Sequence, residues 1–261
     1  MTVKQILQKL QKILPSSWLY LLQDIHSYLM FRWILKVQSQ PLNLSSKSAM
    51  VFSPHQDDET FGCGGTIALK REQGTQVTVV FLTDGQGSGG AETLTKEKII
   101  EIRKAEAEAA LNILGVPSSD IHFLDRTDGT LRDLQGDSKQ KTIEQIVELL
   151  QRYQPEEIYV PHCKDCHRDH EATYTLVREA ITRANIKVDL LQYAIWMFWR
   201  SPLFIMLKLQ DIARAYRLNI TQVQTQKKQA IASYYSQLKC LPRSFVKRFQ
   251  GSYEIFFKVE L

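Results

Sequence analysis

One imidazole and three carboxylates fall within five consecutive residues, His55-Gln56-Asp57-Asp58-Glu59. They follow the apolar run Ala49-Met50-Val51-Phe52, which is typical of a short buried strand, and they precede a run at 60–71 that predicts a helix. His55 and Asp58 are three residues apart, and in a first helical turn this spacing places both side chains on one face. This stretch therefore has the side chains of a metal site or an acid-base site.

A second cluster of the same kind is His162-Cys163-Lys164-Asp165-Cys166-His167-Arg168-Asp169-His170. It follows the strand-like run Glu157-Ile158-Tyr159-Val160-Pro161 and continues into a helical pattern. Of the 6 histidines in the chain, all but two lie in these two clusters. The carboxyl ends of parallel strands meet at one edge of an α/β sheet, so we expect both clusters to open on the same site.

Neutral imidazole combined with carboxylate is the ligand chemistry of a catalytic zinc ion, which keeps one coordination position open for water. A His, Asp, His set drawn from the two clusters would supply three ligands. Each aspartate taken singly would also fit as a helix N-cap. Capping does not explain why imidazoles and carboxylates concentrate in both places, so the pattern favours a metal-dependent enzyme.

Strand and helix patterns alternate along the chain from residue 49. Strands are predicted at 49–52, 77–82, 121–124 and 157–161, and helices at 60–71, 96–114, 139–153 and 170–184. Beyond residue 188, strands are predicted at 190–196, 212–218 and 253–259, and a helix at 222–238. This order predicts an α/β fold with a Rossmann-like, mostly parallel sheet and helices on both faces.

Residues 1–48 are predicted to form an N-terminal extension of one or two amphipathic helices, and residues 49–261 the main domain. The apolar face of the extension either packs on the main domain or lies on a bilayer surface, with Trp18 and Trp33 at the interface. Ionisable side chains inside its apolar stretch argue against a transmembrane helix.

The composition excludes several classes of protein. A net charge of +5 without a dense basic stripe argues against a nucleic-acid partner. The 4 cysteines are too few for a disulfide framework in a chain of this length, and the N-terminus lacks the pattern of a secretory signal. We therefore expect a cytoplasmic protein, with peripheral contact at the inner face of a membrane as the further expectation. The oligomeric state cannot be inferred.

The two clusters and the glycines between them resemble the PIG-L or LmbE-like family of zinc-dependent N-deacetylases. The resemblance runs in order from residue 49 to 175, with a weaker echo at 228–237. It is carried by Ser53-Pro54-His55-Gln56-Asp57-Asp58-Glu59, Gly62-Cys63-Gly64-Gly65-Thr66, Thr83-Asp84-Gly85, Arg103, Glu106, Ala110, Leu114-Gly115 and His167-Arg168-Asp169-His170. Gln56 stands where the family usually has proline, which removes no ligand.

The resemblance implies a role for each chemical group in the clusters. His55, Asp58 and His170 match the family's Zn²⁺ ligands, and Asp57 matches its general base. His167 matches the residue that polarises the substrate carbonyl or stabilises the oxyanion.

The resemblance also implies the groups that surround this centre. Asp169 matches a carboxylate that orients and charges the catalytic histidine, and Arg103, Asp128 and Asp84 match substrate-binding positions. The implied reaction removes acetyl from an N-acetylglucosamine-type sugar, glycolipid or other glycoconjugate. The alternatives are a zinc amidase acting on a larger acyl group, and a catalytically silent protein that binds metal or glycan.

Three further motifs have alternative interpretations. Cys163-Lys164-Asp165-Cys166-His167 fits the pattern of covalent haem attachment, and its thiols could instead bind a structural zinc, but the chain has no export signal and no second cysteine pair. Gly85-Gln86-Gly87-Ser88-Gly89-Gly90 fits a dinucleotide fingerprint, yet no helix pattern opens on it. The aromatic segment at 195–206 predicts either packed core or an apolar cap over a ligand or membrane.

Overall fold

The computed structural model describes residues 16–87, 94–200 and 207–260. Within these ranges, eight strands form one sheet. They are β1 (Gln40–Pro41), β2 (Ala49–Ser53), β3 (Val77–Thr83), β4 (Ile121–Arg126), β5 (Glu157–Pro161), β6 (Asp189–Tyr193), β7 (Ala215–Asn219) and β8 (Tyr253–Val259). Their order is β1-β7-β8-β6-β5-β2-β3-β4. Neighbouring strands are parallel except at β8, which is antiparallel to β6 and β7.

Helices connect the strands. They are α1 (Ser16–Trp33), α2 (Asp58–Glu72), α3 (Lys96–Ile113), α4 (Gly136–Tyr153), α5 (Arg168–Ala184), α6 (Met197–Arg200), α7 (Gln224–Ala232), α8 (Tyr235–Leu238) and α9 (Arg243–Phe249). Helix α1 continues into a π-helical turn, Ile34–Gln38.

The apolar residues of β2 show how the sheet is covered. Ala49 and Val51 belong to a core shared with α2, α3 and α7, whereas Met50 and Phe52 belong to a core shared with α4 and α5. Successive strand residues point to opposite faces, so a strand buried on both faces reads as a continuous apolar run. The predicted α/β architecture with helices on both faces is confirmed.

The site helix α2 lies unusually close to its neighbours. A Cβ atom added at Gly62 would lie 2.3 Å from the Tyr193 ring, and one added at Gly65 would lie 2.6 Å from Ile220. Only glycine allows these approaches, since real Cβ atoms do not come so near other heavy atoms. The glycines after the first cluster therefore place the start of α2 against β6 and the chain after β7.

A buried ion pair fixes the same helix to β8. Lys227 Nζ lies 2.6 Å from Glu254 Oε1 and donates to the Phe61 carbonyl at 2.8 Å. Glu254 also accepts from the backbone N–H groups of Gly65 and Thr66. One carboxylate on β8 thus holds α2 directly and through the lysine of α7.

The C-terminal third departs from prediction in several elements. The helix predicted at 222–238 is divided, because Ser233 and Tyr234 separate α7 from α8. The strand predicted at 190–196 ends at Tyr193, and the one predicted at 212–218 begins at Ala215. Helix α9 was not predicted. Residues 88–90 of the glycine loop and 201–206 of the aromatic segment lie outside the described residues.

The N-terminal segment contacts the main domain at both of its described elements. Met30 and Ile34 are buried in a cluster with Ile255 and Phe257 of β8. Strand β1 pairs in parallel with β7. None of the helices in the described ranges is long and apolar enough to span a bilayer.

Candidate metal centre

The two predicted clusters lie at the point where the strand order reverses. Strand β2 pairs with β3 on one side and with β5 on the other. The chain continues from β2 toward β3 and β4, and later from β5 toward β6. A crevice forms at the carboxyl ends of the two strands from which the connections diverge. The first cluster follows β2 and the second follows β5, so both open on this crevice.

The turn after β2 brings His55 and Asp58 together, although not in the predicted way. Helix α2 begins at Asp58, so His55 precedes it, and the expected shared helical face was wrong. The contact arises because Asp58 Oδ2 accepts from the His55 backbone N–H at 3.2 Å. Asp57, at the N-cap, has φ = 143°, a region that side chains rarely adopt. Backbone strain of this kind is stored at functional sites.

Three side chains converge on one point. Asp58 Oδ2 lies 3.1 Å from His55 Nδ1 and 3.2 Å from His170 Nε2. In a tetrahedral zinc site with bonds near 2.0 Å, neighbouring ligand atoms are roughly 3.3 Å apart. Both distances from Asp58 Oδ2 therefore fit neighbouring ligands of a single small cation.

The remaining nitrogen of each histidine is held by a carboxylate. His170 Nδ1 lies 2.7 Å from Asp165 Oδ2, and His55 Nε2 lies 3.1 Å from Asp128 Oδ1 and 3.3 Å from Asp169 Oδ2. A ring N–H directed at a carboxylate leaves the opposite nitrogen with a lone pair, which is the usual arrangement of metal-binding histidines. Both lone pairs then face Asp58.

An unsatisfied buried atom supports this fit. His170 Nε2 is buried and has no hydrogen-bond partner among the described residues, since its approach to Asp58 lacks hydrogen-bond geometry. The ring nitrogens of His55, His167 and His170 lie within 4.8 Å of one another, and so do ligand atoms of His55, Asp128 and Asp169. The described residues thus contain a cluster of histidine and aspartate that fits a metal ion.

The electrostatics of the cluster favour a positive charge at its centre. Burial opposes protonation of His170, but Asp58 and Asp165 outweigh it and raise its pKa to about 9. Burial likewise opposes protonation of His55, while Asp128, Asp169 and Asp58 raise its pKa well above the usual value. Burial acts to raise the pKa of Asp58, yet its contacts with His170 and His55 lower it.

Asp57 has a different environment from its neighbour. Burial, the largest cause, raises the pKa of Asp57 to about 8, and the charges of Asp58 and Glu59 add to the rise while Arg103 opposes it. Arg103 Nη2 lies 3.6 Å from Asp57 Oδ1. A carboxyl group with a pKa near neutrality can exchange protons at physiological pH.

His167 lies at the N-cap of α5 and faces the cluster. Its Nδ1 accepts from the Asp169 backbone N–H at 3.3 Å, so the neutral ring carries its hydrogen on Nε2. Burial, with the charges of His170 and His55, lowers the pKa of His167 to about 4. The ring is therefore a neutral hydrogen-bond donor.

The other predicted residues surround these groups. Asp169 contacts His55 by its side chain and His167 by its backbone, and it also accepts from Gly129 N–H at 2.7 Å. Arg103 is buried and donates to the Gln56 carbonyl at 2.7 Å. Asp84 does not line the cavity; its Oδ1 accepts from the Asp128 backbone N–H at 3.1 Å.

A cavity of about 200 Å³ opens over the cluster. Its polar side is formed by His55, Asp57, Asp58, Arg103, Asp128 and His167. Its apolar side is formed by Phe61, Ile195, Trp196, Leu241 and Phe245, with Gln237 beside them. The Trp196 ring stacks on Phe245 with centroids 4.6 Å apart. One wall can thus bind a polar reacting group while the other packs against an apolar or ring-shaped surface.

Sequence reasoning missed Asp165 as a positioning group. This fully buried carboxylate contacts His170 and accepts from the backbone N–H groups of Ile195, Trp196 and Met197. Its position five residues before His170 in the second cluster was the available signal. The weaker echo of the family at 228–237 also lies near the site, because the Ser236 hydroxyl donates to Glu106 and Gln237 lines the cavity.

A protein-family model described as GlcNAc-PI de-N-acetylase, PIG-L, matches residues 50–181, which is half of the chain. The chain belongs to the PIG-L family. The resemblance drawn from the two clusters is confirmed, and the family match contains every candidate site residue.

Curated relatives of this PIG-L chain carry different names. The 4-oxalmesaconate hydratase of Pseudomonas putida is 32% identical over 145 residues, covering 53% of this chain and 53% of that protein. The probable N-acetyl-alpha-D-glucosaminyl L-malate deacetylase 2 of Bacillus anthracis is 29% identical over 140 residues, covering 52% of this chain and 60% of that protein. The chain therefore spans little more than half the length of these relatives.

Solved structures show the same fold. The N,N'-diacetylchitobiose deacetylase from Pyrococcus horikoshii has a TM-score of 0.61 at 22% identity, covering 85% of this chain and 83% of that one. At 22% identity, this similarity shows that the two chains share a fold and nothing further.

Proposed function

We propose that this chain is a zinc-dependent hydrolase that removes the N-acetyl group from an N-acetylglucosamine-type sugar or glycoconjugate and releases acetate and a free amine. The observation that carries the proposal is the convergence of His55, Asp58 and His170 beside the buried carboxyl of Asp57. The family description supports the reaction, and the name of the Bacillus relative supports the sugar.

The ion would be held by His55 Nδ1, Asp58 Oδ2 and His170 Nε2, which are the converging atoms. When bound, zinc is a Lewis acid that activates water near neutral pH and polarises a carbonyl oxygen. Asp165, Asp128 and Asp169 would keep the two imidazoles in the required tautomers.

Asp57 is the proposed general base. Its carboxyl lines the cavity beside the proposed metal ligands. It would accept a proton from the attacking water and return it to the amide nitrogen as the C–N bond breaks. Arg103, 3.6 Å away, favours the ionised form that accepts the proton.

His167 is the proposed oxyanion donor. Its Nε2–H is the free donor of a neutral ring whose Nδ1 is already bound by the Asp169 backbone. A donor fixed before the reaction stabilises the charge that develops on the carbonyl oxygen. Asp169 is a positioning group in this proposal, since it fixes His55 by its side chain and His167 by its backbone.

Arg103 and Asp128 are proposed to contact the sugar, because both line the cavity. Asp84 would act indirectly by holding the backbone of Asp128 and of Gln86. We place the reaction in the cytoplasm on the basis of the low cysteine content.

Metal analysis combined with a panel of N-acetylated sugars tests the proposal. We expect the purified chain to contain zinc and to release acetate, detected together with the free amine by mass spectrometry. Chelation should abolish turnover, and added zinc should restore it. Absence of acetate release from every sugar in the panel would refute the proposed substrate class.

Two alternatives have specific support. The similarity to a hydratase favours addition of water to a carbon–carbon double bond, a reaction that an unsaturated dicarboxylate would reveal by loss of absorbance. The apolar wall around Trp196 favours a larger acyl group than acetyl, which longer N-acyl sugars in the same panel would reveal.

A further inference from the structure

Helix α1 presents an apolar stripe that nothing in the described residues covers. Trp18, Leu22, Ile25 and Leu29 follow one another at helical spacing and are 61%, 53%, 48% and 59% exposed. Arg32 and Lys36 continue the same stripe, and both are exposed. We call these six residues the α1 stripe.

From Gln23 onward, the side of α1 opposite the stripe packs on the domain, which fixes the orientation of the stripe. Met30 and Ile34 are 4% and 0% exposed in the cluster with β8. Gln23 Nε2 donates to the Trp199 carbonyl at 2.7 Å, and the Phe31 and Phe198 rings meet edge to face at 6.0 Å. Turning the stripe inward would break these contacts, so its exposure is a property of the folded domain.

A groove of about 870 Å³ lies between α1 and α9. Its floor is apolar, and its rim carries the exposed side chains of Arg32, Lys36 and Lys247, against one acidic residue, Asp24. Arg248 Nη1 is buried and has no hydrogen-bond partner within the described part of the chain. Burial lowers the pKa of Arg248 to about 10, with Asp24 opposing the shift, and Arg248 Cζ lies 5.5 Å from the centroid of the Trp199 ring.

We propose that the α1 stripe and this groove dock on an anionic lipid bilayer. The apolar side chains would enter the boundary between headgroups and acyl chains, and the basic rim would contact lipid phosphates. Exposed Tyr28, beside the stripe, joins Trp18 in supplying the amphipathic aromatic rings that favour this boundary.

Charge argues against two other occupants of the groove, a second copy of the chain and residues 1–15. A second copy related by a two-fold axis would bring the same basic rim against itself. Residues 1–15 contain Lys4, Lys9 and Lys12 and no acidic residue, so they would also add like charge. An anionic surface is complementary to all of these lysines and arginines.

The docking surface borders the candidate metal centre. Phe245 of α9 lines the cavity over the metal site, while Ser244, Lys247 and Arg248 of the same helix line the groove. A bilayer on the groove would therefore lie one helix away from the cavity. The docking proposal itself does not depend on the reaction, because it is tested by binding.

Cosedimentation of the full chain with vesicles tests the proposal. We expect binding to phosphatidylcholine vesicles that contain phosphatidylglycerol, weak binding to phosphatidylcholine alone, and loss of binding at high salt. Leu22→Gln with Leu29→Gln should weaken binding about tenfold per leucine. Arg32→Gln with Lys36→Gln should weaken it about fivefold per charge.

The matched control is Lys141→Gln with Lys187→Gln, which removes two exposed charges elsewhere on the chain. This control should bind vesicles more tightly than the variant Arg32→Gln with Lys36→Gln. Thermal melting verifies that each variant is folded. Equal, negligible binding to both vesicle types would overturn the proposal. The proposal would also fail if the full chain with Lys4, Lys9 and Lys12 changed to Gln lost binding while the groove variants bound normally. It would fail as well if the chain formed a dimer that the leucine variants dissociate.

Discussion

The α1 stripe differs from the crevice between β2 and β5 in how its side chains are buried and held. In the crevice every ionisable group of the candidate centre is buried or half-buried and contacts another charged or polar group. On the stripe, apolar side chains are about half exposed and contact little. Chemistry at a fixed point requires side chains held within a fraction of an ångström, whereas contact with a fluid surface requires only exposed apolar area and charge.

This difference has a consequence for mutations. A conservative change in the crevice should alter turnover, metal affinity or folding, because each group there holds another. A conservative change on the stripe should alter surface binding and leave folding intact. The following predictions test that contrast.

Asp57→Asn is expected to have the largest effect. The amide keeps the size of the side chain but cannot accept a proton, so we expect turnover to fall by about 10²–10⁴-fold. Because Asp57 supplies none of the three proposed ligand atoms, the zinc content should be unchanged. Steady-state rates and metal analysis on the same sample measure both quantities, and unchanged turnover would remove Asp57 from its proposed role.

Lys227→Met tests the support beneath the crevice. It leaves Glu254 buried without its cation, and breaking a buried pair costs about 3–5 kcal/mol of unfolding free energy. Denaturant unfolding measures the loss. The double variant Lys227→Met with Glu254→Gln should lose less than the sum of the single variants, and strict additivity would argue against the pair as the clamp on α2.

Asp165→Asn tests whether metal affinity depends on a carboxylate that contacts a proposed ligand, His170, without being a ligand itself. Asp165 holds His170 Nδ1 at 2.7 Å, and loss of such a carboxylate typically weakens metal binding about 10–100-fold. Competition with a chromophoric chelator measures the affinity. Asp137→Asn, at an exposed position in the first turn of α4, is the control and should bind metal normally.

The position of the crevice could be predicted from the sequence because each cluster directly follows its strand along the chain. Strands β2 and β5 are short, fully buried strands followed at once by the two clusters, so topology alone brings the clusters together. Prediction failed where the contact is made by distant backbone. Asp165 acquires its role through N–H groups of residues 195–197, and no spacing within the cluster reveals that partner.

The elements beyond residue 188 were harder for a related reason. Helix α9 has only seven residues, too short for a helical period to stand out, and its burial comes from Phe245 packing against Phe61 and Trp199. The break between α7 and α8 places Tyr234 so that its hydroxyl donates to Glu59. Both features are set by tertiary contacts with the site helix and its surroundings, which local sequence patterns do not contain.

Two adjacent residues of α1 give the sharpest version of the contrast. Met30 is 4% exposed and Leu29 is 59% exposed, so the same change to glutamine should give different results at the two positions. Met30→Gln places an amide in an apolar cluster without a partner and should cost about 1–3 kcal/mol. Leu29→Gln should change the unfolding free energy by no more than about 0.5 kcal/mol. If Leu29→Gln were as destabilising as Met30→Gln in matched unfolding curves, the stripe would be covered in solution, and the division between a packed crevice and an open docking surface would fail.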